Sequence, residues 1–168
     1  HEPCYVSYDP VVRFAHGIPV PVATRRENGF RLTRAMLEAR VTPRTRVVLL
    51  NFPTNPTGAT LAPEDLQGIA DFAMTHDLVV ITDEIYAELL YEEGTPRSIA
   101  ALSGMQARTI FLHGFSKSWA MTGFRLGYAC APAELSEAMM KIHQYTMLCA
   151  PILAQEAARE ALRAREEA

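Results

Sequence analysis

The apolar residues of this chain gather into short, dense runs, and a polar cluster follows each one. Arg46-Val-Val-Leu-Leu50, Leu78-Val-Val-Ile81 and Thr109-Ile-Phe-Leu112 are apolar at successive positions. Such runs predict strands covered on both faces, as in a parallel sheet. Between the first two, Leu66, Ile69, Ala70, Ala73 and Met74 recur at helical spacing,. Pro63 suits the first turn of that helix, and Glu64 and Asp65 suit its positive end. The order strand 46–50, helix 63–76, strand 78–82 is a βαβ crossover. The next connection differs, because the chain between Leu112 and Phe124 is too short for a helical crossover of about a dozen or more residues. The run Phe124–Ala131 is therefore predicted to lie antiparallel to the strand before it. Helices are predicted from Ala133 to Tyr145 and from Pro151 onward. Near the start, Pro10–His16 reads as a helix stopped by Gly17, Ile18–Ala23 alternates like a short strand, and Thr33 is placed to cap a helix reaching Arg40.

Composition narrows the classes. A chain of 168 residues, 49% hydrophobic and 21% charged, can form one sizeable core, and no repeat or linker divides it,. A net charge of −3 offers no electrostatic basis for binding nucleic acid or an anionic membrane,. No apolar run approaches the roughly 18 residues of a membrane span, and no signal peptide is visible. Cys4, Cys130 and Cys149 are odd in number and lack CxxC spacing, which predicts buried, reduced thiols in a cytoplasmic protein,.

The polar clusters carry the chemistry. They are Asn51-Phe-Pro-Thr-Asn55-Pro-Thr-Gly58, Ile81-Thr-Asp83-Glu-Ile-Tyr86, and the segment from His113 through Lys117 to Arg125. Each sits where a buried strand should end, and open α/β sheets bind ligands at that edge. A lysine on a strand-end loop with a fixed cation nearby suits covalent capture of a carbonyl cofactor whose phosphate the arginine holds. Each residue also has an ordinary reading: Asn55 as an Asn-Pro turn, Asp83 as a strand-end turn with Glu84 competing for its role, Tyr86 and Tyr5 as packing, Arg125 as a surface ion pair. Other chemistries fail on spacing. Ser116 stands where a P-loop needs glycine, no Ser-x-x-Lys surrounds Lys117, and no G-x-G-x-x-G follows a strand. The five histidines are scattered without metal-ligand spacing,.

Asn-Pro-Thr-Gly after one strand, Asp-x-x-Tyr after the next, and Ser-Lys followed eight residues later by Arg resemble the class I/II aminotransferases. These are pyridoxal-phosphate (PLP) enzymes of the aspartate aminotransferase fold, and the likeness runs from Pro3 to Pro151. The resemblance implies an α/β large domain, a mostly parallel sheet with one antiparallel strand and helices on both faces. It implies that Lys117 forms the imine with PLP and moves the substrate proton. Asp83 would pair with the pyridinium nitrogen, and Tyr86 and Asn55 would donate to the ring's phenolate oxygen. Arg125 and Ser116 would hold the phosphate, and Tyr5 would stack on the ring. The chain departs from many members at Gly114, where they place a phosphate-binding serine; Ser118 is a further candidate.

The implied reaction is transamination between an L-amino acid and a 2-oxo acid. A β-lyase or synthase of the same fold is the alternative, as is an inactive piece that keeps the fold. Members are much longer and dimeric, so residues 1–168 read as an internal part of the PLP-binding large domain. The N-terminal segment and the C-terminal small domain, with its substrate-carboxylate arginine, would lie outside it. The piece alone is expected to be inactive, and the longer chain to be a homodimer.

Overall fold

The computed structural model describes residues 1–91 and 97–166. The three apolar runs become β1 (Val47–Asn51), β2 (Val79–Asp83) and β3 (Thr109–Gly114), and β4 (Gly127–Cys130) closes a four-stranded sheet of order β1-β2-β3-β4. β1 pairs with β2, and β2 with β3, in parallel; β3 and β4 are antiparallel. The short return after Lys117 thus has the consequence read from its length. It is filled by a one-turn helix, α4 (Phe115–Ser118), and a 3-10 turn at Thr122–Phe124. The remaining helices are α1 (Tyr8–Phe14), α2 (Arg34–Glu38), α3 (Pro63–Thr75), α5 (Ala133–Thr146) and α6 (Ile152–Glu166).

One sheet face and α3 make the core. Strand side chains alternate between faces. Val48, Leu50 and Val80 are buried against Leu66, Ile69, Ala70, Phe72 and Ala73 of α3, with Leu32, Ile99 and Met105 closing the cluster. Pro63 opens α3, with Glu64 and Asp65 in its first turn, and Met74 is partly buried against the core. Asp65 is itself buried and ion-paired with Arg31. The opposite sheet face is more open: Val79, Ile81 and Asp83 are only half-buried. Every residue of β4 is exposed and α5 buries none.

Several expectations need correction. Ile18–Ala23 is not a strand. Its only pairing is the isolated bridge Glu2↔Ala23, because Pro19 and Pro21 remove alternate ladder donors,. The first helix spans Tyr8–Phe14 rather than Pro10–His16, and His16, not Gly17, takes the left-handed turn at φ 60°. Gly17 serves instead by close approach, since its N–H donates to the Val12 carbonyl at 2.8 Å and a Cβ there would meet Val12 Cγ1 at 2.9 Å. Thr33 occupies the position before α2 but its side chain makes no capping bond, and α2 ends at Glu38. The cysteines are not buried as a set. Cys4 is half-buried, while Cys130 and Cys149 are exposed because β4 and the α5–α6 connection lie outside the core; all three are free. Among the described residues no helix is long and apolar enough to cross a membrane.

Phe72 is 2% exposed, and its ring packs within the core and against the His76 imidazole, centroids 4.7 Å apart. Phe72→Ala should therefore cost about 3–5 kcal/mol, measurable as a lower midpoint in equilibrium denaturation. A loss under about 1 kcal/mol would show that α3 is not the element that seals the core.

Candidate active site

The site begins with strand register. Asn51 lies opposite Asp83, Asp83 opposite Leu112, and Gly114 opposite Gly127. The polar ends of β1, β2 and β3 therefore meet along one edge, with the start of β4 beside them. Lys117 follows directly in α4, and Arg125 precedes β4 in a left-handed conformation, φ 53°. Its guanidinium is exposed and donates to the Thr122 carbonyl at 2.9 Å.

Alternation separates the two neighbouring acids of β2's end. Thr82 and Glu84 are buried on the α3 side, where Glu84 Oε1 accepts from Thr82 Oγ1 at 3.0 Å and Ser98 Oγ at 2.7 Å. Asp83 faces the other way, half-buried, and so is the acid available to a ligand,. Its Oδ2 accepts from the Tyr8 hydroxyl at 2.8 Å, and its Oδ1 from the Ile85 N–H at 3.2 Å. Burial, then the bond to Asp83, raises the Tyr8 pKa far above the usual phenol range, so Tyr8 stays a donor,. Burial likewise raises the Glu84 pKa, opposed by its bonds from Ser98 and Thr82.

Of the residues singled out from sequence, Lys117 and Tyr86 come together, with Nζ 5.7 Å from the Tyr86 ring centroid,. Tyr5 packs edge-on against Tyr8, ring centroids 5.6 Å apart, and Tyr8 ties it to Asp83. Asn55 is held through its backbone, its N–H donating to Asn51 Oδ1 at 3.1 Å. Ser116 is half-buried beside Lys117, and Ser118 Oγ is buried with no hydrogen-bond partner among the described residues. Among the described residues Arg125 bonds to the Thr122 carbonyl, and its strand position brings it to the same edge. Gly114 has a steric reason for its identity. A Cβ there would lie 3.0 Å from the Leu126 carbonyl oxygen and 3.1 Å from Gly127 Cα, so a serine cannot stand at this position without moving β4.

Two contributors were missed from sequence. Tyr8 stands one turn after Tyr5 at the head of α1, a spacing that gives no chemical signal by itself. Asn51 was visible as the polar end of an apolar run, yet nothing showed that its side chain is 1% exposed and bonded at both ends.

The site fits a phosphorylated pyridine aldehyde on the chemistry of its donors. It offers one amine, a carboxylate for a ring nitrogen, an amide and a phenol for a ring oxygen, and a guanidinium with a hydroxyl for phosphate. Comparison agrees. The family model described as "Aminotransferase class I and II" matches residues 1–168. The chain is 48% identical over 162 residues to aromatic-amino-acid aminotransferase 2 of Thermococcus litoralis, covering 96% of this chain and 42% of that protein. It is 48% identical over 161 residues to an aspartate aminotransferase of Pyrococcus abyssi, covering 96% and 41%. The crystal structure of an aromatic aminotransferase from Pyrococcus horikoshii superposes with a TM-score of 0.93 at 47% identity, over 96% of this chain and 43% of that one. The chain therefore belongs to the class I and II aminotransferases, a family that uses pyridoxal phosphate, and spans about two fifths of these relatives' length.

The raised pKa of Glu84 carries a sign. A buried carboxyl whose folded pKa exceeds its unfolded one stabilises fully below the unfolded value and loses that contribution as pH rises through the folded value. Glu84→Gln keeps the acceptor for Thr82 and Ser98 and removes the buried charge. Its stability relative to the parent should therefore improve from acid to neutral pH, read by denaturation at both. A difference that ignores pH would show that Glu84 does not titrate as its burial dictates.

Proposed function

We propose that the full-length protein containing this chain is a PLP-dependent aminotransferase, moving an amino group between an L-amino acid and a 2-oxo acid. The observation that carries the reading is the gathering of Lys117, Tyr86, Asp83 and Asn55 along one sheet edge. Bound pyridoxal phosphate supplies an electron sink for the bonds of the amino acid's α-carbon. Lys117 Nζ would hold the cofactor's carbonyl carbon, and its amine is the group that would move the α-proton. The Asp83 carboxylate, with Tyr8 donating to one of its oxygens, keeps the ring nitrogen protonated,. Tyr86 and the Asn55 side chain donate to the phenolate oxygen, Arg125 and Ser116 hold the phosphate, and Tyr5 covers a ring face.

Residues 1–168 are read as part of the PLP-binding large domain of a longer, homodimeric subunit working in the cytoplasm. The coverage of about two fifths supports the longer subunit, and apolar side chains left uncovered on α1 and α5, Phe14 at 88% and Tyr145 at 86% exposed, support further protein packed over them,. Relatives named for aromatic amino acids and for aspartate support a donor from those classes.

Borohydride reduction of the full-length protein with PLP should place the pyridoxyl label on Lys117, and an amino donor should bleach the visible cofactor band until a 2-oxo acid restores it. A label on Lys141, the only other lysine of residues 1–168, or on a lysine elsewhere in the longer protein, sinks the site assignment. Release of ammonia and pyruvate from a β-substituted amino acid, with no bleaching, points to the lyase instead. Asp83→Asn should retain PLP yet lose turnover by about 100-fold or more, the scale of one preorganised electrostatic partner. Activity within a few-fold of the parent would assign the electron-sink role to another group.

A further inference from the structure

We propose that Asn51 is a positioning residue, a single buried amide that fixes the span between Asn55 and Asp83; this rests on the aminotransferase reading above. Asn51 is the last residue of β1 and is 1% exposed. Its Nδ2 donates to the Asp83 carbonyl at 2.9 Å, and its Oδ1 accepts the Asn55 N–H at 3.1 Å. Its own carbonyl accepts from Thr54 Oγ1 at 2.8 Å, inside the same loop. Asn55 and Asp83 are the groups assigned to the ring oxygen and the ring nitrogen. One rigid plane thus sets the backbone of both, and with it the distance between the two places where the ring is gripped. Positioning of this kind matters to rate, since a misplacement of about 1 Å can cost on the order of 100-fold.

Only an amide does this at such depth. Aspartate keeps an acceptor for Asn55 but loses the donor, and would turn a second oxygen toward the Asp83 carbonyl. Alanine removes the partner of the part-buried Asn55 N–H and Asp83 carbonyl, and polar groups that lose a partner away from water are costly,. Glutamine is one methylene longer and moves the amide plane out of reach of one partner. The role is therefore distinct from bulk packing, which an apolar side chain would fill.

The test uses the full-length protein with PLP. Asn51→Asp and Asn51→Ala should shift the pH midpoint of the visible cofactor band upward by about one unit, because a slackened Asn55 donates less well to the phenolate. They should also weaken PLP binding by about 10- to 100-fold, the usual scale for losing a supporting partner. In an Asn55→Ala background the midpoint shift from Asn51→Ala should vanish, since the effect passes through Asn55. Variants with the parent midpoint and PLP affinity, whatever their melting temperature, would overturn the proposal. A second measurement covers variants that fail to fold and needs no cofactor: the Asn55 amide of the parent protein should exchange with solvent at least about 100-fold more slowly than an exposed loop amide. Exchange at the unprotected rate refutes the bond on which the proposal stands. A parent protein that takes up no PLP would instead defeat the aminotransferase reading, and the amide exchange would still decide the role of Asn51.

Discussion

Parallel pairing in register is the constraint on which this molecule depends. Because Asn51 faces Asp83 and Asp83 faces Leu112, the strands end on one line, and whatever polar residue follows each run is delivered to the same edge. Parallel strands require the connecting α3, and α3 requires a sheet face to bury Leu66, Ile69 and Phe72,. The core and the site are thus two results of one topology. A slip of β2 by one residue would exchange Asp83 with Glu84, sending the available acid into the core and the core acid into the crevice.

That exchange shows why the pair Asp83-Glu84 is chemically asymmetric despite its adjacency. Glu84 is held by two hydroxyls behind the strand, with a pKa raised by burial, and contributes to the join between β2's end and the segment at Ser98. Asp83 is only half-buried and keeps two donors of its own, Tyr8 and the Ile85 N–H. Alternation of strand side chains is enough to bury one acid behind the strand and leave its neighbour on the more open face,.

Much of this was legible in the chain. Consecutive apolar residues located β1, β2 and β3 within about two residues, the usual uncertainty of element ends, and the shortness of the Leu112–Phe124 connection fixed the antiparallel β4. Lys117, Asp83, Asn55 and Tyr86 stood out because each follows such a run. What stayed hidden is what single residues do at a distance. Phe72, three residues after Ile69, flanks the stripe of Leu66, Ile69 and Ala73, and α3 buries an arc wide enough to take in both it and Asp65. The alternation of Ile18–Ala23 was a misleading strand signal, overruled by two prolines. Tyr8 meets Asp83 across 75 positions of sequence, a contact created by tertiary structure and by no local pattern.

The β3–β4 return places Arg125 on the same sheet edge as Lys117 without a crossover helix. Gly114 and Gly127 face each other with so little room that a Cβ on either would lie 3.0 Å from a backbone oxygen. The close approach keeps the turn short, and a short turn keeps Arg125 on the edge that carries Lys117. Arg125 accepts a left-handed backbone in doing so, φ 53°, a conformation that a residue with a side chain adopts at some cost,. Its guanidinium is exposed at the mouth of β4 and donates to the Thr122 carbonyl, on the sheet edge where Lys117 follows β3. Gly114 thus lets β3 and β4 approach closely at the point where the return that carries Arg125 begins and ends.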